Sequence, residues 1–573
     1  MFIGKHRTKL ALILAFTLAA SLLAACGGSS GGGGGGAGAT TAAAATTAAA
    51  TTTAAATTAA AAETTAAAKE AGGSGGVVTL KAYMNNSGFD QSTWGEDIVS
   101  KTMIEKTGVN LEFEIAAADD NQKLNLLISS GDLPDLVMTG QKSPPAITMI
   151  EGGLVYSLDE LGEKYAPKML DYVFFKAPEN RKQLEYKQTG KIFTVPAEYT
   201  DRTRMNDGVF LCPIVSYYYR ADIHKAIGEP KLETLDDMEA ALKLAAQHDS
   251  SLSHALFLWH AGEPTWGNCG VRVLYQSMGG KGQYMETSEG LKSMIRDPIY
   301  KDTLMFVNKL YLDGLVNMSD FTDTGQQQEV INVKPVYFMA AGSPWRAIVP
   351  HDDMPKDNPG VEIAPLMKPL IQPGYTYFSP AGGLNGWLGT YVVKTTKYPE
   401  QAAKLMEFGL SEECQILVSC GIENEHWKWA GPENKWIALT PYARELMDQG
   451  WSDWVGALGT YKYTFLGGRN WYDSAFCWGL AIDDPFKMAV YTSEMGGVDY
   501  SDFLDIEPEQ SSVEGANWEK FVALWKSYQS RICLAGSQKE AASLYDEFIK
   551  EADLAGLPGI EKVWTDNYKA KNG

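Results

Sequence analysis

Tryptophan set among turn residues is the feature of this sequence most able to do chemistry. The chain carries 15 tryptophans and 27 tyrosines. Several indoles stand in Gly-, Pro- or Asn-bearing stretches rather than on regular faces. Trp94 and Trp259 are two, and Trp266 lies in Glu263-Pro264-Thr265-Trp266-Gly267-Asn268. Trp345 precedes Arg346 in Ser343-Pro344-Trp345-Arg346, Trp387 follows Asn385-Gly386, and Trp471 sits in Arg469-Asn470-Trp471-Tyr472-Asp473. An aromatic face covers the flat C–H face of a sugar ring, while Asn, Asp, Gln or Arg bonds the hydroxyl edge. Loops of this composition supply both. The competing role for each indole is packing in a core, and Trp451 and Trp454 are assigned to it. Arg346 is suited either to a uronic-acid carboxylate or to a structural ion pair.

Catalytic constellations are absent. There is no G-x-S-x-G, no H-E-x-x-H and no phosphate loop ending in G-K-[ST]. His254 and His260 are isolated and six residues apart, which is no metal-ligand spacing. The 70 acidic residues make close carboxylates inevitable, but a glycosidase needs two at a set separation across a cleft. The chain is read as a non-enzyme with no cofactor and no metal. No C-x-x-C pair occurs, so a thiolate zinc site is not expected. Cys212, Cys269, Cys414, Cys420, Cys477 and Cys533 are read as buried free thiols.

Three segments must position these residues. In the first, residues 1–25, Lys5, Arg7 and Lys9 precede an apolar run from Leu10 to Leu23, too short to span a bilayer comfortably. The run closes in Leu23-Ala24-Ala25-Cys26, which resembles a bacterial lipobox. Cys26 would then carry a diacylglyceryl group and a further palmitate-type chain, holding the protein on the outer face of the cytoplasmic membrane. Residues 26–76 form a Gly/Ala/Thr linker with almost no large apolar residue, unable to offset chain entropy by burial.

Residues 77–573 are the folded part. The balance of 49 basic against 70 acidic side chains argues against nucleic acid and against direct docking on anionic lipid. Val77–Met84 has strand composition, a helix is expected from about Trp94 to Lys106, and Val109–Ile115 alternates as a second strand. Asp119–Ser130 has helical spacing and Leu136–Met138 is a third strand. This alternation indicates an α/β fold with mostly parallel sheets flanked by helices. Thr234-x-x-Asp237 and Ser537-x-x-Glu540 are helix starts, and Glu400–Cys420 behind Pro399 is read as one helix.

The order of several short segments resembles the family 1 extracellular solute-binding proteins, in particular their large Gram-positive lipoprotein branch. These are Ile104-Glu105-Lys106-Thr107-Gly108-Val109, Ser129 to Leu136 (SSGDLPDL), Gly190 to Pro196 (GKIFTVP), Tyr219-Arg220-Ala221-Asp222, Lys309 to Leu315 (KLYLDGL), Tyr398 to Ala403 (YPEQAA) and Cys420 to Trp427 (CGIENEHW). The resemblance implies a type II periplasmic-binding-protein-like fold of two lobes joined by a hinge. The first lobe would comprise approximately 77–200 and 385–480, the second approximately 205–370, with helices of 481–573 packing across. It implies a monomer that captures a carbohydrate, an oligosaccharide by preference, and delivers it to the transmembrane subunits of an ABC importer. Sites in open α/β sheets lie beyond the carboxyl ends of strands; Asn85, Gln141 and Glu198 are the first-lobe candidates by that rule. The Asp-rich calcium loop of some relatives is not matched by Gln247 to His254 (QHDSSLSH). The alternatives are a surface glycoside-processing enzyme and an adhesive surface protein.

Overall fold

The computed structural model describes residues 76–117, 121–178, 181, 184–197, 215–265, 269–322, 336–342, 354–356, 358–366, 368–375, 380–381, 388–430, 436–467, 498–499, 501–503, 506–509 and 512–572. The expected leader, Cys26 and the linker as far as residue 75 lie outside them. Among the described residues no helix is long and apolar enough to cross a membrane.

Two sheets organise the chain. The first is built from β1 (Val78–Met84), β2 (Val109–Ile115), β3 (Leu136–Gly140) and β4 (Val195–Pro196). The second is built from β5 (Val215–Arg220), β6 (His254–Leu258), β7 (Val336–Gly342) and β8 (Ile363–Pro365), after which β9 (Leu388–Val392) returns to the first. The strand orders are β2-β1-β3-β9-β4 and β8-β5-β7-β6. β1 is parallel to β2 and β3, whereas β9 runs antiparallel to both β3 and β4. In the second sheet β6 and β7 are parallel, and β5 is antiparallel to β7 and β8.

The first strand after each crossing is therefore the antiparallel one. β5 enters beside the carboxyl end of β7, with Val215 opposite Gly342. β9 enters beside the carboxyl end of β3, with Leu388 opposite Gly140. The chain leaves β4 and β8 at their carboxyl ends as well, so the crossings join the carboxyl edges of the two sheets. Pro380–Ala381 in the second crossing pairs in parallel with Val498–Asp499, which precedes the C-terminal helices.

Both sheets are covered on two faces, as mostly parallel sheets require. Leu80, Ala82 and Met84 of β1 join Leu136 and Met138 of β3 in one core, and Tyr83, Val137 and Tyr391 enter another. Likewise Leu256, Leu258, Phe338 and Ala340 lie on one side of the second sheet, and Phe257 and Met339 on the other. The period-two alternation of the side chains makes this separation.

Local starts and stops follow from individual residues. Thr234 and Asp237 form a reciprocal capping box at the helix Leu235–His248 (3.1 and 2.9 Å). Ser537 starts the helix Gln538–Leu554 by accepting from the Glu540 amide (3.2 Å). The helix expected from Trp94 begins later, at Ile98, because Asp97 is its cap and accepts from the Ser100 amide (2.8 Å). The single helix expected over Glu400–Cys420 is two, Pro399–Gly409 and Glu412–Cys420. Gly409 lies so close to the Leu466 carbonyl that no side chain fits there, and Ser411 caps the second helix through the Cys414 amide (3.2 Å).

The C-terminal helices Val513–Cys533, Gln538–Leu554 and Leu557–Asn572 are built into the second core. Trp525 donates to the Tyr300 hydroxyl (2.7 Å), and Arg296 reaches Asp553 (2.5 Å) and Glu561 (2.6 Å). Cys269, Cys414, Cys420 and Cys533 are buried and in no disulfide; Cys212 and Cys477 lie outside the described residues. Trp454 is fully buried, as a core residue; the side chain of Trp451 is not described.

Candidate functional site

At the carboxyl edge of the first sheet, β1 and β3 bring four short polar side chains together. The Asn85 amide continues the β1–β3 pairing by donating to the Met138 carbonyl (2.8 Å). Its Nδ2 donates to Asn121 Oδ1 (2.9 Å) and to Thr139 Oγ1 (3.2 Å), and Thr139 Oγ1 lies 3.4 Å from Ser143 Oγ. Asn121 stands at the N-cap of the helix Gln122–Ser130, yet its side chain makes no capping bond. That side chain is committed instead to Asn85. Asn85 Oδ1 is buried and accepts nothing. A buried acceptor without a donor costs about 1–3 kcal/mol, and a guest hydroxyl is a donor that would relieve it.

Gln141 follows directly, half-buried in the turn between β3 and the helix Pro144–Glu151. Beyond β1, Asp90 is held down to about 2 by the Ser92 hydroxyl and amide, with Lys462 adding its charge. Lys462 lies 3.2 Å from Asp90 and 2.9 Å from Thr93 Oγ1. This pins the loop after β1 to the segment that follows the helix Trp451–Leu458.

The two described candidate tryptophans are packed within their own lobes. Trp94 donates its indole N–H to Asn110 Oδ1 (3.0 Å) and meets Tyr463 and Phe113 edge-on, with centroids 4.9 and 5.4 Å apart. Trp259 is 4% exposed, clusters with Tyr218, Phe257 and Met339, and meets His260 edge-on at 4.3 Å. Glu198, Trp266, Trp345, Arg346, Trp387 and Trp471 lie outside the described residues. The helix Gly270–Ser277 follows β6, and its first amide donates to the Trp259 carbonyl (2.7 Å).

Residue-by-residue reading missed a second polar group on this edge. Arg272 and Gln276 on the helix Gly270–Ser277 are buried, as is the Gln372 side-chain oxygen in the second crossing, and they hold polar atoms without partners. Their four-residue spacing inside Val271, Val273, Leu274 and Tyr275 was the available signal. A shallow hollow lined by Tyr219, Arg220, Tyr337, Phe338 and Met354 lies at the opposite, amino-terminal end of β7, away from the crossings.

His254 Nε2 lies 3.2 Å from Asp320 Oδ1 with both side chains buried, and burial raises the Asp320 carboxyl. Asp320 also accepts from the Leu258 amide (3.0 Å). Among the described residues no group of three or more His, Cys, Asp or Glu side chains is placed to hold a metal ion.

The comparisons with known proteins agree with this architecture. Residues 99–419 match the model of the bacterial extracellular solute-binding protein family. Lipoprotein LipO of Bacillus subtilis (strain 168) is 24% identical over 318 residues, spanning 54% of this chain and 59% of that relative, so somewhat over half its length is matched. The alginate-binding protein AlgQ2, solved without calcium ion, superposes with a TM-score of 0.65 at 17% identity, covering 87% of this chain and 99% of that one. The substrate-binding protein FusA of Streptococcus pneumoniae, in complex with kestose, gives 0.60 at 16% identity, covering 86% and 99%. A solute-binding protein of Bifidobacterium longum infantis ATCC 15697, described as HMO binding and ABC-transporter associated, gives 0.59 at 14%, covering 86% and 98%. The fold is thus the two-lobed type II arrangement of solute-binding proteins, and the chain belongs to the bacterial extracellular solute-binding protein family.

Proposed function

We propose that this protein is a lipid-anchored receptor on the outer face of the cytoplasmic membrane that closes its two lobes on an oligosaccharide. It then presents the loaded form, as a monomer, to the transmembrane subunits of an ABC importer. The observation that carries the reading is the free Asn85 acceptor at the carboxyl edge where the crossings meet. A preorganised acceptor backed by Asn121 and Thr139 suits a hydroxyl-edged guest. Similar proteins with solved structures are described as alginate-binding or in complex with kestose, which supports a glycan. The relative in Bacillus subtilis is a lipoprotein, which supports Cys26 as the anchor. Trp266, Trp345, Trp387 and Trp471, with Gln141, Glu198 and Arg346, complete the proposed lining.

Closure follows if the guest binds the closed arrangement better than the open one. Isothermal calorimetry across a panel of oligosaccharides, with chromatography of the recovered glycan, tests the reading. Saturable heat with intact glycan is expected. Cleavage of the glycan would assign the chain to the enzymes instead, and silence across the panel would remove carbohydrate as the guest class.

A further inference from the structure

The helix Gly270–Ser277 starts just beyond the carboxyl end of β6, and all its residues are buried. Val271, Val273, Leu274 and Tyr275 enter the second core. Arg272 and Gln276, four residues apart, share another face. Arg272 is 3% exposed, and its one hydrogen bond runs from Nη1 to the Pro264 carbonyl (3.3 Å), while Nε has no partner. Glu263, the nearby acid in sequence, lies 2.6 Å from Lys526, and no ion pair joins it to Arg272 among the described residues. Gln276 is fully buried with neither side-chain atom bonded. Gln372, in the second crossing, is fastened to the end of the same helix by its amide, which donates to the Ser277 carbonyl (3.1 Å), and its Oε1 is buried and unbonded.

A guanidinium stays protonated in proteins. Burying it without a counter-charge is strongly unfavourable unless something anionic arrives. One turn further along the same helix stands an amide able to donate and accept, and in the second crossing, tied to the end of that helix, a carbonyl able to accept; these match hydroxyls near an acid group. We propose that Arg272, Gln276 and Gln372 form a second-lobe subsite for a carboxylate-bearing sugar. Arg272 takes the carboxylate, and the two glutamines take the neighbouring hydroxyls. This deepens the solute-binding reading and rests on it, and it narrows the guest from oligosaccharides in general to those containing uronic acids.

The test uses the full chain, an oligogalacturonate, its methyl ester, a neutral oligosaccharide of equal length and sodium sulfate. Calorimetry is expected to show the oligogalacturonate binding about 100-fold or more tightly than its ester. Arg272→Met is expected to erase that preference and to melt no lower than the wild type, since it removes an uncompensated charge; a purely structural arginine would lower the melting temperature. Gln276→Leu is expected to weaken acid and ester alike. Equal binding of acid and ester, an Arg272→Met variant that keeps the preference, or binding of sulfate without the oligogalacturonate overturns the subsite. A neutral glycan that binds while the acid does not overturns the subsite and leaves the solute-binding reading standing. No heat from any glycan removes that reading, and the subsite with it.

Discussion

Lys356 Nζ lies 2.6 Å from Asp453 Oδ2, an ion pair between the two lobes. Met354, two residues before Lys356, packs on the face of the second sheet that carries Phe257 and Met339. Asp453 belongs to the helix Trp451–Leu458, whose Trp454 packs with Ile416, Cys420 and Ile98 beside the first sheet. Both side chains are substantially exposed, so the pair contributes at most about 1 kcal/mol. Against a two-state opening equilibrium that is still up to about fivefold.

Asp453→Asn is therefore expected to shift the ligand-free protein toward the open form and to weaken guest binding by no more than about fivefold. Raising salt should mimic the substitution in the wild type and do nothing further in the variant. Distances between spin labels on the two lobes read this directly; a salt response that survives in Asp453→Asn would show that this pair is not the contact being screened.

Asn85→Ala removes two hydrogen bonds and the free acceptor together. Each bond contributes about 1 kcal/mol net, and removal of the unsatisfied acceptor offsets that loss by about 1–3 kcal/mol, so little change in stability is expected, with guest affinity falling at least about tenfold. Chemical denaturation and calorimetry separate the two effects. Affinity equal to wild type would move the guest away from this edge.

Trp259→Ala empties a buried indole site and should cost about 3–5 kcal/mol of stability. Trp94→Ala should cost less, because Trp94 is only partly buried, although it leaves Asn110 without its donor. The prediction for both is a lower denaturant midpoint with guest affinity little changed at temperatures where the variant stays folded. A large affinity loss in a stably folded Trp259→Ala would return that indole to the guest site.

Acidification should loosen the fold through two histidines. Burial lowers both His224 and His426, and His426 Nδ1 accepts from the Ile422 amide (3.0 Å), which requires that nitrogen unprotonated. Their folded values lie below the unfolded value of about 6.5, so the unfolded chain binds more protons in that window. The stability they contribute is complete above about pH 6.5 and falls as pH drops toward the folded values. Denaturant midpoints between pH 7 and 5 should decline in the wild type and less steeply in His426→Gln.

Much of the fold was legible because its signals are local. The Thr234–Asp237 box, the alternation of Val109–Ile115 and the Ser537 cap each state an element within a few residues. The break at Gly409 was not, because it depends on the Leu466 carbonyl arriving from a distant turn. The start at Ile98 was missed because Trp94 fits the apolar spacing although Asp97 is the cap. At the proposed site, Asn85 and Gln141 were placed as candidates by one rule about strand ends. Trp94 and Trp259 looked available because a loop sequence carries no record of what packs on it. Arg272 was passed over because its meaning lies in partners it lacks, and only coordinates show that.

A glycan held where the crossings join the two sheets should draw the lobes together. Small-angle scattering of the full chain, with and without a saturating concentration of the panel member that gives heat, tests it most directly. A smaller radius of gyration is expected with glycan bound, and a smaller contraction in Asn85→Ala at the same glycan concentration. An unchanged radius at proven saturation would contradict it.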